Sequence, residues 1–66
     1  GRRGWPDRLF IFHGKVLFIE FKRLGEQPTP LQKFVHGVLQ GHGMRVEVVD
    51  DHYKGRKIID DFTNGS

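Results

Sequence analysis

The sequence predicts an α/β fold: a small mixed β-sheet, made of a β-hairpin and a third strand reached through a helical crossover, with flanking helices. Three observations carry this. Two short runs rich in Phe, Ile and Leu sit either side of a glycine turn, a capped amphipathic segment follows, and an alternating run comes after it.

The first two runs span residues 8–13 and 16–22. Both are too short and too rich in aromatic and β-branched residues for independent helices. The Gly14-Lys15 pair between them reads as a two-residue hairpin connection with glycine first. Leu24 to Pro28 shows no periodicity and reads as a loop. A helix then has clear start signals: Thr29 as N-cap, Pro30 at the first helical position, and Gln32 completing a Thr-x-x-Gln capping box. Leu31, Phe34, Val35, Val38 and Leu39 form an apolar stripe at helical spacing. Gly41-His42-Gly43 stops the helix, and Gly37 within it suggests a close approach by another segment.

Residues 44–49 alternate and read as a third strand, parallel to the second because a right-handed crossover separates them. A loop over 50–53 and a short final helix over 56–62, with Ile58, Ile59 and Phe62 inward, complete the chain. Lys54-Gly55-Arg56-Lys57 reads as a helix face first and a DNA contact second.

The chain has 66 residues and no cysteine. A domain of this size buries only about 60% of the surface its unfolded form exposes. Neither disulfides nor thiolate zinc can staple it, so a second copy, a metal or further chain is expected to help. Gly1 stands where a methionine would, and chain ahead of it is expected. No apolar run approaches the ~20 residues of a membrane span, and the lack of cysteine fits a reducing cytoplasm. Formal charge is +3, and it is unevenly spread. Residues 1–23 hold six basic side chains (Arg2, Arg3, Arg8, Lys15, Lys22, Arg23) against Asp7 and Glu20. That end suits a phosphate backbone, although solvated surface charge gives the same composition.

The hairpin gathers chemistry. With Gly14-Lys15 as the turn, Asp7 faces Lys22 and Glu20 lies diagonal to it; a bulge shifts this by one or two positions and keeps the three together. Glu20 and Lys22 are two apart on a strand and share a face. Two carboxylates offer hard oxygen ligands to Mg²⁺, or to Mn²⁺ in its place, and the Phe21 backbone carbonyl is suited as a third. A divalent ion there would bind a phosphate oxygen and activate water, while Lys22 orients that water or neutralises the transition state. Pro-Asp is also a common turn pair, and Glu-x-Lys a common salt-bridged strand face. The apolar neighbours favour the chemical reading, because a semi-buried charged pair is costly without a task.

Taken together, Gly4-Trp5-Pro6-Asp7-Arg8, Phe18-Ile19-Glu20-Phe21-Lys22-Arg23 and Pro28-Thr29-Pro30-Leu31-Gln32 with His36 resemble the VRR-NUC family. This is the virus-type replication-repair branch of the PD-(D/E)XK nucleases, and the likeness covers nearly all of residues 1–50. The resemblance implies a restriction-endonuclease-like core, Asp7 and Glu20 as metal ligands, Lys22 as the catalytic lysine, and Gln32 near the active centre. It also implies a partner class. Small stand-alone members, many phage-encoded, are homodimers acting on branched DNA such as four-way (Holliday) junctions, and larger relatives belong to DNA-repair nucleases. Members usually carry an N-terminal helix, with an acidic residue reaching the metal site, ahead of the glycine-basic segment. Only Gly1-Arg2-Arg3-Gly4 precede the motif here, so residues 1–66 are expected to form one nuclease domain lacking that helix.

The expectation is therefore a Mg²⁺-dependent endonuclease on DNA, homodimeric, with neither a membrane nor an organic cofactor as partner. The competing classes are a non-catalytic DNA-binding module and a subunit of a longer nuclease. Arg2, Arg3, Arg8 and Arg23 are candidate phosphate grips. Gln32 either serves the centre or finishes the helix cap. His36 reads as a packing or hydrogen-bonding histidine, His13, His42 and His52 as surface or turn residues, and Trp5 as a core cover or a base-stacking platform.

Overall fold

The structure, a computed structural model, describes residues 3–64. Its elements run β1 (Arg8–Phe12), β2 (Lys15–Phe21), α1 (Pro30–Gly41), β3 (Arg45–Val49) and α2 (His52–Thr63). The sheet has the order β1-β2-β3. β1 pairs antiparallel with β2, and β2 pairs parallel with β3. This is the expected small mixed sheet with flanking helices. No helix among the described residues is long and apolar enough to cross a membrane.

β2 is the middle strand, and its successive residues Leu17, Phe18, Ile19 and Glu20 are all buried. Side chains alternate across a strand, so both faces of the sheet must be covered at this strand. Leu17 and Ile19 join Val49 of β3 and Phe62 of α2, with Phe10, Phe12, Ile58 and Ile59 around them. Phe18 and Glu20 point the other way, toward α1.

The turn differs from expectation. Phe12 pairs with Lys15, so the two turn residues are His13 and Gly14 rather than Gly14 and Lys15. Both have positive φ, 52° and 76°. A primed turn that follows the strand twist needs a left-handed residue at each central position. Gly14 meets that need in the second, and histidine is among the side chains that tolerate it in the first.

α1 begins as its signals require. The Thr29 side chain accepts from the Gln32 amide while the Gln32 side chain accepts from the Thr29 amide, a complete capping box with Pro30 at the start. It ends one residue past Gln40, with His42 as cap. The amides of Gly43 and Met44 then donate to Gln40 and Leu39 at 2.9 and 3.1 Å, the two bonds of a Schellman stop. Gly37 has open space around it, so the close approach expected there does not occur. The close approach is at Gly4, where an added Cβ would lie 2.8 Å from Leu31 and 3.0 Å from Val35. That contact docks the segment preceding β1 onto α1.

The helix face also differs. Leu39 and His36 are buried and Gln32 and Val35 half-buried, whereas Leu31, Phe34 and Val38 are exposed. The apolar stripe is thus rolled aside so that Gln32 and His36 reach the sheet. Leu9 and Ile11, which share this side of the sheet with Phe18 through the β1–β2 register, are exposed too. Several large apolar side chains are thus left uncovered, Phe34 at 69% among the most exposed.

α2 starts four residues earlier than the expected 56–62. Asp51 caps it, its side chain accepting from the Tyr53 amide at 2.7 Å. What read as a loop over 50–53 is therefore a cap and the first turn of the helix.

Candidate active site

The register of the hairpin builds the site. Arg8 lies opposite Ile19, so one step further Asp7 comes opposite Glu20. The expected facing partner, Lys22, lies one further residue along the same face. The Asp7 carboxylate is fixed by the Phe21 amide, which donates to Oδ2 at 2.8 Å. The N–H and C=O of one strand residue point to the same side, so the Phe21 backbone is turned toward Asp7. The Lys22 amide points the opposite way and donates to Val49 at 2.8 Å, extending the parallel pairing past the last strand residue.

Glu20 is 3% exposed. Burial pushes its carboxyl above the usual value of 4.5, the Asp7 carboxylate beside it raises it further, and the Lys22 charge partly offsets both. Its Oε2 accepts from Gln32 Nε2 at 3.3 Å. Its Oε1 is buried with no hydrogen-bond partner, and His36 Nε2 lies 3.7 Å from it. The imidazole of His36 is held below the usual 6.5, by burial first and by Lys22 second.

Asp7, Glu20, Lys22 and Gln32 thus come together, at the junction of the segment before β1, the end of β2 and the first turn of α1. His36, which read as a packing or hydrogen-bonding residue, stands with them. The signal for it was its place one turn after Gln32. The arginines are less concentrated. Arg8 is opposite Ile19 and so projects to the α2 side, away from Asp7. Arg3 and Arg23 are exposed, and Arg2 lies outside the described residues. Trp5 packs edge-on against Phe18, ring centres 6.0 Å apart, which makes it a cover for the α1 side.

Two acceptor-only carboxylates crowded together, one with an orphaned buried oxygen, form a donor set that a hard cation fits. Among the described residues no three His, Asp or Glu side chains converge as a metal cluster. A cation held here would rest on Asp7, Glu20 and the main chain, and would need water for the rest of its shell. Beside this centre, at the carboxyl ends of the parallel strands, lies a cavity of about 390 Å³ that shares Lys22 with it. Glu26, Asp50 and Asp51 line that cavity with Lys22 and Arg23, so its charge does not suit a phosphate.

No protein-family model matches the chain, and no solved structure matches it. Among curated proteins, it is 49% identical over 51 residues, 76% of its length, to "Putative nuclease p44" of Acyrthosiphon pisum secondary endosymbiont phage 1. The chain spans 55% of that relative's length.

Proposed function

We propose that this chain is the core of a divalent-metal-dependent endonuclease of the VRR-NUC type, cutting phosphodiester bonds in DNA. The observation that carries the reading is the meeting of Asp7 and Glu20 across the hairpin, with Lys22 on the same face. The likeness to a phage protein named as a nuclease supports it at the level of nuclease activity.

In this reading Asp7 and Glu20, with the Phe21 carbonyl, would hold Mg²⁺ or Mn²⁺. Such an ion supplies Lewis acidity toward a phosphate oxygen and charge opposite the transition state. Asp7 is oriented by the Phe21 amide, and Glu20 by Gln32. Lys22 donates to the attacking water or to the phosphate oxygens as negative charge develops on them. Arg3 and Arg23 grip the flanking backbone, and Arg2 is a further candidate. We extend the proposal to branched DNA, four-way junctions above all, and to a homodimer. The exposure of Leu9, Ile11, Leu31, Phe34 and Val38 supports the second point, since a small domain that leaves several large apolar side chains uncovered on one side favours a partner there.

The test compares wild type with Glu20→Ala and Lys22→Ala on a four-way junction and a linear duplex, with Mg²⁺. Both variants should lose cleavage, and the junction should be cut faster. Equal cleavage by all three proteins removes the proposed site; equal rates on the two substrates remove only the branched-DNA part. A stable monomer in light scattering at micromolar concentration removes the dimer.

A further inference from the structure

We infer that His36 is a positioning residue for Glu20, its Nε2–H directed at Oε1 while Gln32 holds Oε2. The inference rests on reading Glu20 as a metal-binding carboxylate. His36 Nε2 and Glu20 Oε1 are both buried, lie 3.7 Å apart, and have no hydrogen-bond partner among the described residues. If the proton sat on Nδ1, a lone pair on nitrogen would face a carboxylate oxygen away from water, which is unfavourable for both. With the proton on Nε2 the same approach is attractive. The geometry therefore selects the tautomer as well as the role.

His36 and Gln32 are four apart on α1, one turn, and on the side of the helix that meets the sheet. Each addresses a different oxygen of one carboxylate, at 3.7 and 3.3 Å. Both contacts are long, as such contacts often are before a site is loaded. Two donors from one rigid helix fix the plane of the carboxylate and leave its remaining lone pairs on the Asp7 side.

The chemistry of the donors matters as much as their position. A Lys or Arg in place of His36 would pair with Glu20 and compete with any cation for it. A neutral imidazole orients the carboxylate without cancelling its charge.

The tautomer is read from long-range ¹H–¹⁵N spectra of the metal-free wild type, and Mn²⁺ affinity by calorimetry on wild type, His36→Leu, His36→Gln and Glu20→Gln. We expect the Nε2–H tautomer. His36→Leu, which keeps the packing volume, should weaken Mn²⁺ binding by roughly 10–100-fold. His36→Gln, which restores an N–H donor, should recover most of it, and metal-free DNA binding should be the same in wild type and the two His36 variants. An Nδ1–H tautomer overturns the inference, and so does His36→Leu binding Mn²⁺ like wild type. The tautomer needs no variant, so a poorly folded His36→Leu leaves the inference testable. If wild type binds no Mn²⁺, or Glu20→Gln binds it equally well, the metal site itself falls and the inference with it. Loss confined to the His36 arm leaves the metal site standing.

Discussion

Gln32 joins the start of α1 to Glu20: its Oε1 accepts from the Thr29 amide at 2.9 Å while its Nε2 donates to Glu20 Oε2 at 3.3 Å. The cap and the site are thus one side chain's two ends. Thr29→Ala removes half of the capping box and should cost about 1 kcal/mol in urea unfolding. Gln32→Glu keeps the box but sets a third carboxylate against Glu20. It should retain helix content in circular dichroism while lowering the melting temperature at neutral pH, an effect that Mn²⁺ reverses.

Glu20 makes stability depend on pH. Burial, then Asp7, raises its carboxyl above 4.5 in the fold. A carboxyl raised by folding ionises later in the native state than in the unfolded chain. Its contribution is whole below about 4.5 and drains away as pH climbs through the folded value. Glu20→Gln stops that drain. In EDTA at pH 7 the variant should be more stable than wild type by on the order of 1 kcal/mol, a gap that closes toward pH 4. Thermal melts across this range check it. Added Mn²⁺ should stabilise wild type only.

Lys22 shares the face of Glu20 and acts electrostatically on both Glu20 and His36. Its removal takes away a cation that the proposed reaction needs most when phosphate charge builds up. Lys22→Ala should lower single-turnover cleavage by about 100-fold or more. Metal binding should not weaken, because a nearby positive charge opposes it. A matching loss of Mn²⁺ affinity would show that Lys22 serves the fold of the site instead.

Gly14 has φ 76° and open space around it, so what a side chain would meet there is backbone strain and nothing else. Gly14→Ala should cost roughly 1–2 kcal/mol, read as a shift in the urea midpoint.

Much of this was legible in the residues. Periodicity and turn chemistry gave all five elements, and the Thr29 box gave the start of α1 to the residue. The hairpin put Asp7 beside Glu20 and Lys22 even though the turn was placed one residue late, because all three sit at its open end. The turn itself sets glycine in the second position rather than the first. His13 can adopt a left-handed conformation and Lys15 continues a strand, and local propensity scarcely separates those options. The start of α2 was missed because Asp50-Asp51 resembles a loop as much as a cap; only the Tyr53 contact decides it. The rolled face of α1 was beyond the hydrophobic pattern. Five apolar residues point one way, but the buried carboxylate of Glu20 needs donors, and meeting that need brings Gln32 and His36 inward.

The His13-Gly14 turn lies far from the carboxylates, yet it sets which of them meet. Pairing displaced by a single residue along β2 would turn Glu20 and Lys22 to the α2 side and bring Ile19 and Phe21 into their places. Such a molecule would keep both helices and much of its spectrum while losing its chemistry. Purified material could therefore pass every ordinary check of folding and still contain a silent fraction, so activity per molecule becomes a gauge of strand alignment.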